Sequence, residues 1–155
     1  MQDWRKHLKL ESHPEGGAFR ELHKSPHQVD PQDGRSNRSA LTHIYFHLKN
    51  GEVSRFHRVL SDEIWHLYEG EGVILYQWRE GTGAVEKIVL GNDECPHCHT
   101  IPAGIWQAAE PLGEEVLVGC TVGPGFEFDD FTLIAPDSPE AKAIRTINPG
   151  LEKFL

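Results

Sequence analysis

The sequence predicts an all-β domain, a sandwich or barrel, with a short helix near each end. Three observations support this prediction. Short runs rich in β-branched and aromatic residues recur along the chain, and turns that contain glycine or proline separate them. The 155 residues carry no repeat, linker or low-complexity segment, which suits one domain over 1–155. A chain of this length buries roughly 70% of its unfolded surface, so its core needs no disulfide or metal.

Composition argues against several classes of function. The net charge of −9 opposes binding to a nucleic acid or to an anionic membrane as the main partner. No run approaches the roughly 20 apolar residues of a membrane span, and the first residues lack the apolar core of a signal peptide. Three cysteines are an odd number for a disulfide scaffold. We therefore expect a cytoplasmic protein with reduced thiols.

The first elements are a helix and a strand. Residues 3–10 read as a short helix that Asp3 can cap, and 12–17 end it with proline and two glycines that serve backbone shape. Residues 18–23 read as a strand in which Arg20 points away from Phe19 and Glu21. Arg20 is either a surface charge or a contact for an anionic or polar ligand.

The next segment is polar and precedes a two-faced strand. Residues 25–39 predict an exposed loop and are the best candidate for a mobile flap. Residues 40–48 predict a strand, and Asn50-Gly51 predicts a hairpin turn after it. The faces of the strand hold Thr42, Ile44, Phe46 and Leu48 on one side and His43, Tyr45 and His47 on the other. Alternation alone leaves open which face lines the barrel.

The most informative stretch is 51–70, because it places a histidine and a carboxylate on neighbouring strands. Residues 53–60 and 63–68 both favour strands, with a short polar break between them. A hairpin here would bring His57 and Glu63 to one side, beside Trp65. The alternative is a solvated edge carboxylate and an ordinary strand histidine.

The remaining chain continues the strand pattern and ends in a helix. Strands are predicted at 73–79, 84–90, 100–109 and 115–122, with turns between them. An aromatic and acidic run follows at 126–134. Ser138, with a proline after it, predicts the start of a helix that runs to about Ile147.

Several motifs together resemble the cupin superfamily, and the Cupin_5 subfamily in particular, from about Leu10 to Leu133. The spacing of Gly51, His57, Glu63 and Gly70 resembles the first cupin motif, and Pro102-Ala103-Gly104 resembles the core of the second. The subfamily motifs are His13-Pro14-Glu15-Gly16-Gly17, Phe19-Arg20-Glu21, Ile44-Tyr45-Phe46, Ser54-Arg55-Phe56-His57, Asp62-Glu63-Ile64-Trp65-His66 and Gly123-Pro124-Gly125-Phe126-Glu127-Phe128. The resemblance implies the double-stranded β-helix, a jelly-roll barrel.

The resemblance also implies a place for a divalent metal ion. Most cupins hold one with three histidines and a carboxylate, but Val59 and Gln107 stand at two of the histidine positions here. Zinc and iron prefer nitrogen or charged oxygen ligands, and an amide oxygen is a poor one. A weak site of His57, Glu63 and Gln107 is one open alternative.

Two further alternatives need no metal. His57 as a general base, with Glu63 as its partner, would suit an isomerase or epimerase, by analogy with deoxysugar epimerases of the same fold. A binding module without catalysis would use aromatic and polar contacts around one pocket, for a sugar-like or carboxylated metabolite. The candidate ligand-binding residues are Arg20, Tyr45, Arg55, Trp65, Trp106 and Gln107.

Two expectations concern features outside the pocket. The run Cys95-Pro96-His97-Cys98-His99 matches the haem-attachment pattern and contains zinc ligand types, but we interpret it as a reduced surface thiol pair. The family resemblance implies a homodimer. Its contact surface could use the aromatic run 126–131, or His66 and Tyr68.

Overall fold

The computed structural model describes residues 3–91 and 93–155, which fold mainly into antiparallel strands. The helices are α1 (Trp4–Leu8) and α2 (Pro139–Ile147), with 3-10 helices at Phe128–Asp130 and Pro149–Phe154. The strands are β1 (Glu11–Ser12), β2 (Ala18–Lys24), β3 (Gln28–Val29), β4 (Arg38–Ser39), β5 (Thr42–Lys49), β6 (Ser54–Val59), β7 (Asp62–Trp78), β8 (Glu86–Gly91), β9 (Cys98–Ile101), β10 (Trp106–Gly123) and β11 (Phe131–Leu133).

One curled sheet carries nine of these strands. Its main path is β1-β2-β5-β10-β6-β11, and β7 pairs with β10, β8 and β9. Strands β3 and β4 form a separate two-stranded sheet. The predicted all-β jelly-roll fold with short helices near both ends is confirmed.

Two long strands replace four predicted short ones. β7 has 17 residues and β10 has 18, so the predicted breaks at Gly70 and at 111–114 do not end a strand. Gly70 and Gly72 have positive φ angles of 105° and 152°, and register shifts interrupt the pairing of β7 with β10. Glycine and bulges let a strand bend and continue, because they relieve the strain of the bend locally.

Neither of the two predicted hairpins around 50–62 forms. β5 does not pair with β6, and β6 does not pair with β7; all three pair with β10 instead. In this register His57 lies opposite Gln107, and Glu63 lies opposite Val122. The long β10 therefore supplies the frame that relates the two strands carrying His57 and Glu63.

Two hydrophobic clusters hold the sheet together. One fills the barrel and includes Phe46, Leu75 and Trp65. The other packs α2 and the last 3-10 helix against the sheet, and it includes Phe56 and Trp106. The barrel interior around this first cluster is therefore closely packed.

The helix ends follow their sequence signals. The Asp3 side chain accepts a hydrogen bond from the Lys6 amide, and the Ser138 side chain accepts one from the Ala141 amide, so both are N-caps as predicted. Over the described residues, none of the helices has both the length and the apolar character needed to cross a membrane.

The polar segment 25–39 is anchored to the barrel by a buried ion-pair cluster. The Asp130 carboxylate accepts hydrogen bonds from Arg35 at 3.0 Å and from Arg38 at 2.9 Å through each of its oxygens. The Asp130 side chain is only 2% exposed. Because Asp130 ends the 3-10 helix that begins at Phe128, the segment fixes the aromatic run next to it.

Candidate functional site

A pocket of about 70 Å³ opens between β2, β5, β6, the start of β7 and the run 126–131. Its lining combines acidic, imidazole and aromatic side chains. The lining residues are His13, Glu15, Phe19, Glu21, Thr42, Ile44, Phe46, His57, Val59, Glu63, Cys120, Val122, Phe126, Phe128 and Phe131. The volume has room for roughly five water-sized groups, which suits a small molecule.

Strand alternation places most of these side chains. Thr42, Ile44 and Phe46 of β5 line the pocket, which resolves the question of which face of this strand points inward. Phe19 and Glu21 of β2 do the same by the same two-residue period. The opposite faces of these strands point away from the pocket.

The loop before β2 adds two residues that strand reasoning missed, His13 and Glu15. Gly16 has a φ of +111°, and a Cβ there would overlap the carbonyl oxygen of Val53. This close approach turns the loop inward, so that Glu15 reaches Ser54 and is 6% exposed. In the sequence, the pair Gly16-Gly17 and the polar residues before it were the signal that could have indicated this inward turn.

His57 lies beside the Glu15 carboxyl group. Its Nδ1–H donates to the Arg55 carbonyl at 2.7 Å, which leaves Nε2 as the acceptor facing Glu15 Oε2 at 3.2 Å. The other oxygen of Glu15 accepts from the Ser54 hydroxyl at 2.7 Å. Burial lowers the pKa of His57 and raises the pKa of Glu15. Burial therefore disfavours the charged form of both groups.

The Glu63 carboxylate is positioned by two successive hydrogen bonds that involve Trp65 and Gln107. The Trp65 indole donates to Gln107 Oε1 at 2.8 Å, and Gln107 Nε2 donates to Glu63 Oε2 at 2.9 Å. The Cys120 thiol also donates to Glu63. Burial raises the pKa of Glu63 to about 7, although His57 opposes this shift. The pocket thus contains a carboxyl group that loses its proton near neutral pH.

The structure brings His57 and Glu63 into one pocket, but not through the hairpin that the prediction assumed. Both side chains line the same pocket, and the carboxyl oxygen that lies 3.2 Å from His57 Nε2 belongs to Glu15. Glu63 interacts with His57 through charge and takes its hydrogen bonds from Gln107 and Cys120. The reason is topological, because β6 and β7 do not form the hairpin that the prediction assumed.

The two predicted arginine contacts lie outside the pocket. Arg20 is exposed on the other face of β2 and donates to the Leu8 carbonyl at 3.2 Å. Arg55 turns its guanidinium to the Ile134 carbonyl at 3.3 Å. The assignment of either residue as a ligand contact in this pocket is thereby corrected.

The aromatic residues and the amide that were predicted as ligand contacts are not among the residues that line the pocket. Tyr45 lies on the outer face of β5 against Tyr68, with ring centroids 6.0 Å apart. Trp106 packs in the cluster under α2, below the Arg58 guanidinium at 4.9 Å from its ring centre. Trp65 and Gln107 stand behind Glu63, where they position the carboxylate.

The Cys95–His99 run follows β8 and includes the first two residues of β9, and none of its residues lines the pocket. Cys95 is half-buried and Cys98 is exposed, and both are free thiols. The His99 ring bonds the Gln77 side chain at 3.0 Å. The run therefore contributes nothing to the site around Glu63.

Comparison with known proteins identifies the family. The model of the family Cupin_5, Cupin superfamily (DUF985), matches residues 2–134. The chain belongs to the cupin superfamily. The match covers most of the barrel and every element that lines the pocket.

Relatives of this cupin include both sequences and solved structures. An uncharacterized protein of Saccharomyces cerevisiae, YML079W, is 28% identical over 151 residues, which cover 86% of this chain and 73% of the yeast protein. Protein SO0799 from Shewanella oneidensis is 32% identical with a TM-score of 0.84, covering 99% and 98% of the two chains. A hypothetical protein from Leishmania major is 26% identical with a TM-score of 0.82, covering 97% and 94%.

More distant cupins share the fold alone. Oxalate decarboxylase from Bacillus subtilis is 14% identical, with a TM-score of 0.59 over 89% of this chain and 34% of that chain. The comparison supports the jelly-roll barrel and carries no information about substrate.

The side chains of this cupin do not fit the metal site that the superfamily implies. Val59 supplies no donor, and both ends of the Gln107 amide are engaged, by Glu63 and by the Trp65 indole. Across residues 3–91 and 93–155, no group of three or more His, Cys, Asp or Glu side chains is arranged to hold a metal ion. The set of His57, Glu63 and Gln107 is therefore a poor ligand set for zinc or iron.

The buried Glu63 carboxyl predicts a pH-dependent stability. Between about pH 4.5 and 7 the folded protein keeps this proton, whereas the unfolded chain has released it. The free energy of unfolding should therefore fall as the pH rises through this window, by up to about 3 kcal/mol from this group.

Denaturant unfolding of the wild type and of Glu63→Gln over this pH range measures the effect. The variant should lose that part of the decline and become the more stable of the two above pH 7. Glu69→Gln, on the exposed part of β7, should follow the wild type. Parallel curves for wild type and Glu63→Gln would contradict the assignment.

Proposed function

We propose that this cupin binds a small carbonyl compound in the Glu63 pocket and moves a proton on it without a metal, as an isomerase or epimerase. The observation that carries the proposal is a buried carboxyl with a pKa of about 7 that shares one pocket with a second buried carboxyl, Glu15, which lies 3.2 Å from His57. A carboxyl with this pKa is half ionised near neutral pH, which suits general base catalysis.

The two groups fit the two halves of a proton transfer. Ionised Glu63 takes the proton from the carbon next to the carbonyl, and the C–H electron pair becomes part of a carbon–carbon double bond. The carbonyl oxygen receives a proton from Glu15, whose pKa is raised by burial. In an isomerisation, Glu63 returns its proton to the former carbonyl carbon and the neighbouring hydroxyl gives its proton to Glu15, so both groups regain their starting states. In an epimerisation, the enol hydroxyl returns its proton to Glu15 and Glu15 delivers a proton to the opposite face of the carbon. Proton exchange through water from Glu63 to Glu15 then restores both groups.

The surroundings support these roles. Gln107 and Trp65 fix the Glu63 carboxylate, and the Arg55 carbonyl fixes the tautomer of His57. The aromatic lining limits water access, which keeps the proton on the reacting groups. No step in this scheme uses Arg20, Tyr45 or Trp106.

Deuterium exchange tests the proposal across a set of compounds and does not depend on choosing one substrate. The protein is incubated in D₂O with a panel of small hydroxy- and aminocarbonyl compounds, and mass spectrometry detects deuterium at carbon. At least one compound should gain deuterium faster than in buffer, and Glu69→Gln should act like the wild type. A panel that exchanges only at the buffer rate would instead favour a pocket that binds without catalysis.

A further inference from the structure

The charged side chains that line the pocket are acidic. Glu15 and Glu63 lie at its base and Glu21 lies at its mouth, whereas no lysine or arginine of the described chain is among the lining residues. Burial lowers the pKa of both lining histidines, His13 and His57, so neither adds positive charge at neutral pH. Any charge that Glu63 carries is therefore not balanced from within the lining.

Three cationic side chains on β2 and on segment 25–39 are already paired elsewhere. Lys24 bonds Glu127 at 2.8 Å on the surface. Arg35 and Arg38 both hold Asp130. These contacts leave the carboxyl groups at the base of the pocket without a basic partner from these elements.

Three phenylalanines form a corner at the mouth of the pocket. The ring centroids of Phe126 and Phe128 are 5.0 Å apart, those of Phe128 and Phe131 are 6.0 Å apart, and those of Phe126 and Phe131 are 6.1 Å apart. The interplanar angles of 66° to 84° make the rings nearly perpendicular. Phe128 is 53% exposed, which is unusual for so large an apolar side chain.

We propose that the pocket selects a small organic cation, whose ammonium group lies between the carboxyl groups of Glu15 and Glu63 and the corner formed by Phe126, Phe128 and Phe131. Aromatic cages bind alkylammonium groups through cation–π attraction, and this attraction is strongest where water is excluded. A carboxylated ligand would face like charges and would find no basic side chain among the lining residues.

The inference rests on the pocket of the proposed function and names its substrate class. An ammonium group beside a carbonyl withdraws electrons and acidifies the intervening C–H bond, which eases its removal by Glu63. The expected substrate is therefore an aminocarbonyl compound of roughly five to seven non-hydrogen atoms.

Three probes of nearly equal shape and different charge test the selection. Choline carries a permanent positive charge, 3,3-dimethylbutan-1-ol is its uncharged counterpart, and 3,3-dimethylbutanoate is an anion of similar shape. Calorimetric titrations of the whole protein are carried out above the pKa of Glu63. Choline should bind at least about 10-fold more tightly than the alcohol, and the anion should bind more weakly than both.

Two variants locate the binding. Phe128→Leu keeps an apolar side chain but removes the ring, so choline should bind more weakly while the alcohol changes little. Glu63→Gln should also weaken choline binding, and Glu69→Gln should not. Equal affinities for choline and the alcohol, tighter binding of the anion, or no binding of choline would overturn the inference.

The outcome is separable from that of the exchange assay. Deuterium exchange on an uncharged carbonyl compound, with no preference for choline, would refute the charge selection and leave proton transfer standing. Choline selection without exchange on any compound would support the charge selection and refute the proton transfer.

Discussion

Replacing Glu63 by glutamine should slow deuterium exchange by about 10²- to 10⁴-fold, the usual contribution of a positioned general base. Glutamine has the shape of glutamate and can still accept the hydrogen bond from Gln107, so the pocket keeps its form. The variant lacks the carboxyl group, whose pKa is about 7 in the wild type and which acts as the base. The rate of deuterium incorporation per protein molecule measures the effect.

Two controls separate chemistry from structure. Glu69→Gln makes the same chemical change on the exposed part of the same strand and should leave the rate unaltered. Denaturant unfolding of Glu63→Gln above neutral pH should show a folded protein at least as stable as the wild type. A Glu63→Gln protein that exchanges at the wild-type rate would remove Glu63 from the mechanism.

Replacing Asp130 by asparagine should lower the thermal unfolding midpoint by roughly 10 °C. The carboxylate joins Arg35 and Arg38, and the pKa of Asp130 is lowered by its hydrogen bonds to these arginines, Arg38 foremost. Without it, two closely packed guanidinium groups would repel each other with no anion between them. A calorimetric scan at neutral pH measures the midpoint.

Asp129 supplies the matched control for this change. It is the neighbouring residue in the same 3-10 helix, but its side chain is exposed. Asp129→Asn should therefore shift the midpoint little. If Asp130→Asn proves as stable as Asp129→Asn, the anchoring of segment 25–39 does not depend on this ion-pair cluster.

Much of the fold could be predicted because local rules act on each strand separately. Alternation assigned Phe19 and Glu21 to one face of β2, and Thr42, Ile44 and Phe46 to one face of β5. It could not choose the inner face, because that depends on which strands lie across the barrel. Alternation also did not predict that β7 and β10 continue through their glycines. A bend within a strand and a turn between strands favour the same residue types.

The strand residues of the site could be predicted from the sequence, whereas its loop residue and its long side chains could not. His57 and Glu63 were recognised because each lies on a strand with a regular pattern, and both do line one pocket. Glu15 was missed because it lies in a loop, where no periodicity relates a side chain to a direction. Arg20 and Arg55 were misplaced because long side chains find backbone carbonyls, of Leu8 and Ile134, that sequence spacing does not reveal.

A titration of the Glu63 carboxyl carbon tests the proposed site most directly. Carbon-13 NMR of the glutamate-labelled protein, compared with Glu63→Gln to assign the signal, follows this one group across the pH range. We predict a midpoint near pH 7, from burial in a pocket shared with His57 and Glu15. A midpoint near 4.5, the ordinary value for glutamate, would show a solvated carboxylate and contradict the site.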